Sequence, residues 1–113
     1  MITIYHNPRC RKSRETLQIL EECNSNITIV KYLEHPPTYD ELKKIINILD
    51  ILPIDLVRKN ESIWKENFKS KHLTNDQLIE VMVNHPKLIE RPIIINGTKA
   101  IIGRPPERVK EIL

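Results

Sequence analysis

Cys10 is the residue best placed to do chemistry, because it lies between a short strand-like run and a predicted helix. A thiol at the start of a helix meets unpaired backbone N–H groups and the positive end of the helix dipole, and both stabilise a thiolate. No acid occurs between this cysteine and Glu15, and His6 adds positive charge when it is protonated. The cations that flank the thiol are Arg9, Arg11, Lys12 and Arg14. This pattern predicts a nucleophilic thiolate in a site suited to anions.

Arg91 and Arg104 are predicted to lie together at one end of a β-hairpin. Asn96 and Gly97 separate two apolar runs, and this dipeptide is typical of a type I′ turn. With these two residues as the loop, Arg91 falls opposite Ile102, and Arg104 lies diagonally from Arg91, about 7–8 Å away. Two arginines on one face can hold a tetrahedral oxyanion, since each presents a planar fork of donors.

The elements that must position these side chains follow the order βαβ, helical block, ββα. The predicted elements are a strand at 2–5, a helix from 11 to about 22, a strand at 27–33, a helical block at about 38–86, strands at 92–95 and 98–102, and a last helix from 105. A βαβ unit has parallel strands and a right-handed crossover. Cys10 then lies at the C-terminal end of a strand, where open α/β sheets bind ligands. The fold class is therefore α/β.

Periodic apolar residues and capping motifs support the helices of this scheme. Two capping boxes, 38–41 and 74–77, begin helices within the block. On the last helix, Val109, Ile112 and Leu113 are predicted to face inward. Trp64 and Phe68 are predicted to be core residues rather than a stacking platform for bases.

The amino-acid composition and net charge limit the classes of protein to which this chain can belong. A chain of 113 residues with 40% hydrophobic and 29% charged residues is predicted to fold as one domain, 1–113, around its own core. The net charge of +3 is mild and the positive residues alternate with acids after residue 15, so we expect neither nucleic-acid nor membrane binding. No apolar run approaches the roughly 20 residues that cross a bilayer. The first residues lack the features of a signal peptide, and we expect a cytoplasmic protein.

The two cysteines are not predicted to form a disulfide. The helix between Cys10 and Cys23 separates them by roughly 20 Å, whereas a disulfide spans at most about 7 Å. In a reducing cytosol both are expected to be thiols.

No metal site and no bound cofactor are predicted. His35, His72 and His85 show no ligand-like spacing with cysteines or acids. We interpret these three histidines as surface residues.

The chain resembles the glutaredoxin-linked arsenate reductase (ArsC) family over essentially its whole length. The motifs that carry the resemblance are His6-Asn7-Pro8, Cys10, Ser13-Arg14, Thr16-Leu17, Tyr32-Leu33-Glu34, Pro36-Pro37, Leu56-Val57-Arg58-Lys59-Asn60, Glu90-Arg91-Pro92-Ile93 and Gly103-Arg104-Pro105. The resemblance implies a thioredoxin-like domain with a helical insertion, and reduction of arsenate to arsenite. Glutathione is the implied co-substrate and glutaredoxin the implied partner.

By that resemblance, Cys10 is the nucleophile that forms a bond to arsenic. Glutathione then attacks the adduct, and glutaredoxin removes the glutathione to release arsenite. His6 corresponds to a histidine associated with activation of the thiol, and Ser13 to a residue that can hydrogen-bond the thiolate.

The resemblance also implies roles for residues that are distant in sequence. Arg58, Arg91 and Arg104 correspond to arginines that hold the oxyanion and its intermediates. Pro92 corresponds to the cis-proline of the fold, which places backbone beside the active thiol. Spacing alone assigns Arg58 no role.

Two other functions remain open on the sequence. Spx-type regulators resemble this fold, bind RNA polymerase and commonly sense redox state through a C-x-x-C pair, but Ser13 occupies the second cysteine position here. A general glutathione-dependent thiol-disulfide oxidoreductase is the other alternative, with the anion site serving the carboxylates of glutathione.

Overall fold

A computed structural model describes residues 2–23 and 26–113, which form two compact units. The first unit comprises the described residues of 1–35 together with 91–113, and the second comprises Pro36–Glu90. The second unit contains the insertion predicted at about 38–86 and extends a few residues beyond it at each end. That 1–113 behaves as a single domain stays a prediction.

The first unit is a four-stranded mixed sheet with helices. Its elements are β1 (Ile2–Tyr5), α1 (Arg11–Cys23), β2 (Ile27–Val30), β3 (Ile93–Asn96), β4 (Lys99–Ile102) and a C-terminal 3-10 helix (Pro106–Ile112). The strand order is β2-β1-β3-β4. β1 is parallel to β2 and antiparallel to β3, and β3 is antiparallel to β4. This is the predicted βαβ…ββα arrangement.

The core of the first unit lies between the sheet, α1 and the C-terminal 3-10 helix. Its buried members are Ile2, Ile4, Leu20, Ile94, Ile101, Val109 and Ile112. The prediction that Leu113 also faces inward is wrong, since this residue is 45% exposed. A 3-10 helix has three residues per turn, so positions 109 and 112 share one face and the next residue leaves it.

β2 is shorter than predicted, because it ends at Val30 rather than continuing to residue 33. The backbone N–H groups of Glu34 and His35 both donate to the carbonyl of Lys31, which turns the chain directly after the strand. Tyr32 is buried in this turn and Leu33 is exposed.

The hairpin register differs from the prediction. The loop is Gly97-Thr98, with Asn96 still in β3 and paired with Lys99. Gly97 has a φ of 63° and is the sole described glycine with positive φ, so the turn follows the type II′ pattern, with glycine at the first central position. The Asn96 side-chain amide donates to the carbonyl of Ile112 at 2.6 Å, a tertiary contact that holds this residue in the strand.

The observed register does not give the predicted diagonal placement of Arg104 from Arg91. The N–H of Gly103 donates to the carbonyl of Pro92 at 2.9 Å, one step beyond the pair Ile93 and Ile102. The ladder ends there, because the N–H of Arg104 donates to the carbonyl of Ile102 at 2.9 Å.

The second unit is the predicted helical block. Its elements are α2 (Tyr39–Leu49), a 3-10 helix at Pro53–Leu56, α3 (Ser62–Asn67), α4 (Asn75–Asn84) and a 3-10 helix at Pro86–Leu88. Both predicted capping boxes are confirmed, with Thr38 and Thr74 as the N-caps. α4 packs against α2 and both 3-10 helices. A single β-bridge joins Val57 and Ile89, a strand-like contact that the sequence did not predict.

The aromatic residues of the second unit pack together. Trp64 is buried, as predicted, whereas Phe68 is half-buried, and their ring centroids lie 6.1 Å apart. Phe68 also packs against His85, at 5.6 Å between ring centroids. His85 is half-buried, so its interpretation as a surface residue is wrong, whereas His35 and His72 are exposed.

Within residues 2–23 and 26–113, no helix combines the length and the apolar character that crossing a bilayer requires.

The turn geometry predicts a position-specific stability effect in the hairpin. Gly97→Ala should lower the free energy of unfolding by about 1–2 kcal/mol, because an L side chain disfavours positive φ. Thr98→Ala is the matched control and should change it by less than about 0.5 kcal/mol, since Thr98 is exposed. Urea unfolding of both variants makes the comparison, and an equal loss in the two would contradict this turn assignment.

Candidate active site

The turn between β1 and α1 holds Cys10 directly before the first residue of the helix. The Cys10 N–H donates to the carbonyl of Asn7 at 3.0 Å, and the Asn7 side-chain oxygen accepts the N–H of Arg9 at 3.0 Å. The Arg14 guanidinium donates to the carbonyl of Pro8 at 2.9 Å, which ties the turn to the helix. Cys10 itself is buried, with 9% of its surface exposed. The turn therefore fixes the thiol at the helix N-terminus, as predicted.

The thiol is surrounded by hydrogen-bond donors from both halves of the first unit. Burial raises the pKa of Cys10, but hydrogen bonds from the Arg91 side chain and from the backbone N–H groups of Ser13 and Lys12, with the charge of Arg91, outweigh it. The net result is a pKa below the ordinary value of a cysteine thiol. The Arg104 guanidinium adds a donor 3.9 Å from the sulfur. This arrangement stabilises a thiolate.

Arg91 and Arg104 are held in contact with one another as well as with the thiol. Nη1 of Arg104 donates to the carbonyl of Arg91 at 3.1 Å and reaches the Cys10 sulfur from the same atom. Two adjacent guanidinium groups beside one sulfur provide charge and directional donors for an oxyanion bound to that sulfur.

The cations next to Cys10 in sequence do not produce its low pKa, which corrects the sequence-based expectation. Their side chains are exposed, and none of them is among the causes of the lowered pKa of Cys10; these cations are Arg9, Arg11, Lys12 and Arg14. Arg11 forms an ion pair with Glu15 at 2.8 Å, and Arg14 is engaged by the turn. Lys12 contributes through its backbone N–H. Side chains on the first turn of a helix project outward, so proximity in sequence did not bring their charges to the thiol.

Ser13 acts on the thiol through its backbone rather than through its hydroxyl. The side chain is fully buried, and its oxygen accepts the N–H of Asn7 at 3.0 Å and lies 2.6 Å from Nδ1 of His6. The contact that lowers the pKa of Cys10 comes from the Ser13 backbone N–H. The hydroxyl therefore joins β1, the turn and α1 into one hydrogen-bonded unit.

His6 is a neutral member of this unit rather than an additional cation. It is 6% exposed, and burial is the largest cause of its lowered pKa, followed by the charges of Lys31 and Arg14, while Glu21 opposes them. Because its pKa is lowered from 6.5, His6 is mainly neutral near neutral pH and adds the positive charge of its protonated form only at lower pH. Its contact with Ser13 links it to the Cys10 turn indirectly.

The Arg91–Pro92 peptide bond is cis, the conformation that the resemblance implied for Pro92. The Arg104–Pro105 bond, in the facing strand segment, is also cis. Both arginines therefore immediately precede a cis-proline.

Gly103 and Thr16 complete the site, and sequence analysis assigned neither of them a role. A Cβ on Gly103 would lie 2.9 Å from the Thr16 hydroxyl oxygen and 3.0 Å from Cγ of Pro92, so a side chain here would displace the Arg104 segment. Thr16 is fully buried, and its hydroxyl donates to the carbonyl of Lys12 at 2.8 Å. Thr16 lies three residues after Ser13 and four before Leu20, and this helical spacing could have predicted that Thr16 is on the buried face of α1.

Arg58 belongs to the second unit, where two carboxylates bind its guanidinium. Nε lies 3.5 Å from Glu61 and Nη1 lies 3.3 Å from Glu90, and the side chain is 18% exposed. Its backbone N–H donates to the carbonyl of Leu88 beside the Val57–Ile89 bridge. A role for Arg58 in oxyanion binding stays a prediction.

The remaining histidines, acids and cysteines bear on a metal site and on a second redox thiol. In the part of the chain described, no group of three or more His, Cys, Asp or Glu side chains is arranged to hold a metal ion. Cys10 and Cys23 are both free thiols, the first buried and the second exposed at the last residue of α1.

Comparison with known proteins agrees with this geometry. The model of the ArsC family matches residues 5–112. The chain belongs to the ArsC family. It is 46% identical to the uncharacterized protein YfgD of Escherichia coli K12, over 99% of this chain and 96% of that protein, and 41% identical to an arsenate reductase of Neisseria meningitidis, over 99% and 97%. An arsenate reductase structure from Vibrio cholerae superposes with a TM-score of 0.94 at 45% identity, covering 99% of this chain and 97% of that one.

Membership of the ArsC family confirms the resemblance seen in the sequence and the thioredoxin-like α/β fold. It does not by itself assign roles to residues, which depend on the contacts described above.

The source of thiolate stabilisation in this ArsC protein can be tested by comparing two arginines. Arg91→Ala should raise the pKa of the Cys10 thiol, because it removes a hydrogen bond and a positive charge from the sulfur. Arg11→Ala should leave that pKa unchanged, since Arg11 is exposed and paired with Glu15. The pH dependence of iodoacetamide alkylation in a Cys23→Ser background measures both. Equal shifts in the two variants would show that the neighbouring charges dominate instead.

The lowered pKa of His6 predicts loss of stability on acidification. Between the ordinary histidine value of 6.5 and the lower folded value, the unfolded chain binds a proton that the folded one does not, so stability falls as pH falls through this window. His6→Gln should flatten this part of the profile, whereas His72→Gln, at an exposed position, should keep the wild-type slope. Urea unfolding between about pH 7 and pH 5 measures the difference. A wild-type slope in His6→Gln would contradict the assignment.

Proposed function

We propose that this protein is an arsenate reductase that uses the Cys10 thiolate as its nucleophile and glutathione with glutaredoxin as its electron source. The observation that carries the proposal is the low-pKa thiol beside two guanidinium groups, with Arg91 hydrogen-bonded to the sulfur and Arg104 at 3.9 Å. A thiolate supplies the attacking electron pair, and the two arginines suit the charge of a tetrahedral oxyanion. The names of the relatives point to the same substrate.

The proposed reaction has two displacement steps before arsenic is reduced. The Cys10 thiolate displaces one oxygen of arsenate, which takes up protons and leaves as water. The thiol of glutathione displaces a second oxygen, also as water, and arsenic is still As(V) in the resulting adduct.

Reduction takes place when glutaredoxin attacks the glutathione sulfur of this adduct. The electron pair of that sulfur–arsenic bond passes to arsenic, which becomes As(III), and glutathione leaves as a mixed disulfide with glutaredoxin. Water then cleaves the bond to Cys10, which releases arsenite and regenerates the thiol.

Each residue of the site has a defined part in this scheme. Arg91 and Arg104 neutralise the oxyanion and hold its oxygens while the sulfur attacks. The backbone N–H groups of Lys12 and Ser13 stabilise the thiolate before attack and after release. His6 and the Ser13 hydroxyl keep the turn in place. Arg58 is proposed as a further oxyanion ligand on the resemblance alone.

The proposed reaction requires a reducing cellular compartment. Glutathione and glutaredoxin must remain reduced to supply electrons, and the protein carries two free thiols. We therefore place its activity in the cytoplasm, where thiols are kept reduced.

Arsenate turnover tests the proposal directly. Cys10→Ser should abolish arsenite formation with glutathione and glutaredoxin, because it removes the nucleophile. Arg91→Ala and Arg104→Ala should each lower kcat/KM for arsenate by about 10- to 150-fold, the equivalent of one lost charged hydrogen bond. Arg108→Ala is the matched control, since this arginine is exposed and pairs with Glu111, and it should retain wild-type activity.

The other outcomes of the same assay identify the alternatives. Full arsenate turnover by Cys10→Ser would overturn the proposal. Reduction of a glutathionylated peptide without arsenate turnover would indicate a general thiol-disulfide oxidoreductase. Inactivity in both assays with tight binding to RNA polymerase would indicate an Spx-like regulator.

A further inference from the structure

A cavity of about 290 Å³ lies beside the Cys10 turn in the first unit. One wall is the turn His6–Arg9, and the other consists of Lys31, Leu33 and Glu34 after β2. Cys10, Arg91 and Arg104 do not line this cavity, so it is separate from the proposed oxyanion site. Its volume is near the lower limit of small-molecule sites, which favours a small ligand over a protein loop.

We propose that this cavity binds the reducing co-substrate, a small peptide thiol of the glutathione type. This inference rests on the proposed function, since that reaction requires a thiol to approach the arsenic held by Cys10. It assigns the location at which the co-substrate is anchored and the residues that select it.

The charges around the cavity match this class of ligand. Among the described residues, the side chains of Arg9, Lys31 and Glu34 form no ion pair with one another or with any other residue, so two cations and one carboxylate are available. Glutathione carries the complementary set, two carboxylates and one ammonium. Arsenate, a compact anion, has no cationic group to pair with Glu34.

The cavity also offers apolar surface for the body of such a ligand. Pro8 and Leu33 contribute to its lining, and Leu33 is 39% exposed although it is a large hydrophobic residue. A bound peptide would cover this surface while its ends reach the charged residues.

The cavity wall and the thiolate belong to the same hydrogen-bonded turn. Asn7 lines the cavity, and its carbonyl accepts the N–H of Cys10 at 3.0 Å. His6 also lines it and contacts the Ser13 hydroxyl, while the Ser13 backbone N–H donates to the thiol. The charge of Lys31 is near enough to His6 to lower its pKa. A peptide anchored here lies against the turn that holds Cys10, the residue on which the adduct forms.

Binding can be measured without any turnover of arsenate. In Cys10→Ser protein, S-methylglutathione should shift the backbone amide resonances of residues 6–9 and 31–34, and binding should weaken as salt is added. Lys31→Glu should weaken it by about tenfold, because the substitution removes an attraction and adds a repulsion. Lys99→Glu, at an exposed position on β4, is the matched control and should bind as the parent does.

Kinetics of the protein with native Cys10 gives the second measurement. Lys31→Glu should raise the KM for glutathione while leaving unchanged both the KM for arsenate and the pH profile of Cys10 alkylation. A rise in the KM for glutaredoxin alone would show that the cavity docks a protein instead and would overturn the inference. So would resonance shifts confined to other residues, or equal affinity in Lys31→Glu and the parent.

These results separate the inference from the proposed function. If the wild type fails to turn over arsenate but S-methylglutathione binds at residues 6–9 and 31–34, the function is wrong and the ligand site is right. If arsenate is reduced and no such binding occurs, the ligand site is wrong and the function is right.

Discussion

The site depends on the donors that lower the pKa of one buried sulfur. Burial by itself raises the pKa of Cys10, and that pKa lies below the ordinary value only because donors from two distant parts of the chain converge on the sulfur. The N-terminus of α1 supplies backbone N–H groups, and the segment around Arg91 and Arg104 supplies guanidinium groups. The donors at the sulfur therefore include both the backbone N–H groups of α1 and the guanidinium groups of the distant segment.

Most of the other features of the first unit serve to bring those two sets of donors together. The antiparallel ladder between β3 and β4 is followed by the Gly103–Pro92 hydrogen bond, and the Arg104 guanidinium then donates to the carbonyl of Arg91 at 3.1 Å. Thr16 and Gly103 allow the chain to approach α1 closely, because a side chain at Gly103 would collide with both Thr16 and Pro92. The Ser13 hydroxyl joins α1 to His6 and Asn7, the residues that follow β1.

Electrostatic roles in this protein follow contact geometry rather than formal charge. Arg11 and Arg14, one and four residues from Cys10, are engaged with Glu15 and with the Pro8 carbonyl, whereas Arg91 bonds to the sulfur from 81 positions away. Burial keeps His6 neutral although it lies near the thiol in sequence. In the second unit, Arg58 is similarly paired, with Glu61 and Glu90.

The local features could be predicted from the sequence: the strand–helix junction at Cys10, the element order, both capping boxes and the family. Each depends on periodicity, on motifs or on neighbours within a few residues. The hairpin register and the donors at the thiol depend instead on tertiary contacts. The Asn96 contact with Ile112 shifted the loop to Gly97-Thr98, and packing of α1 against the Gly103 segment selected Arg91 and Arg104. Such contacts join residues that are far apart in the chain, so they cannot be predicted from the spacing of neighbouring residues.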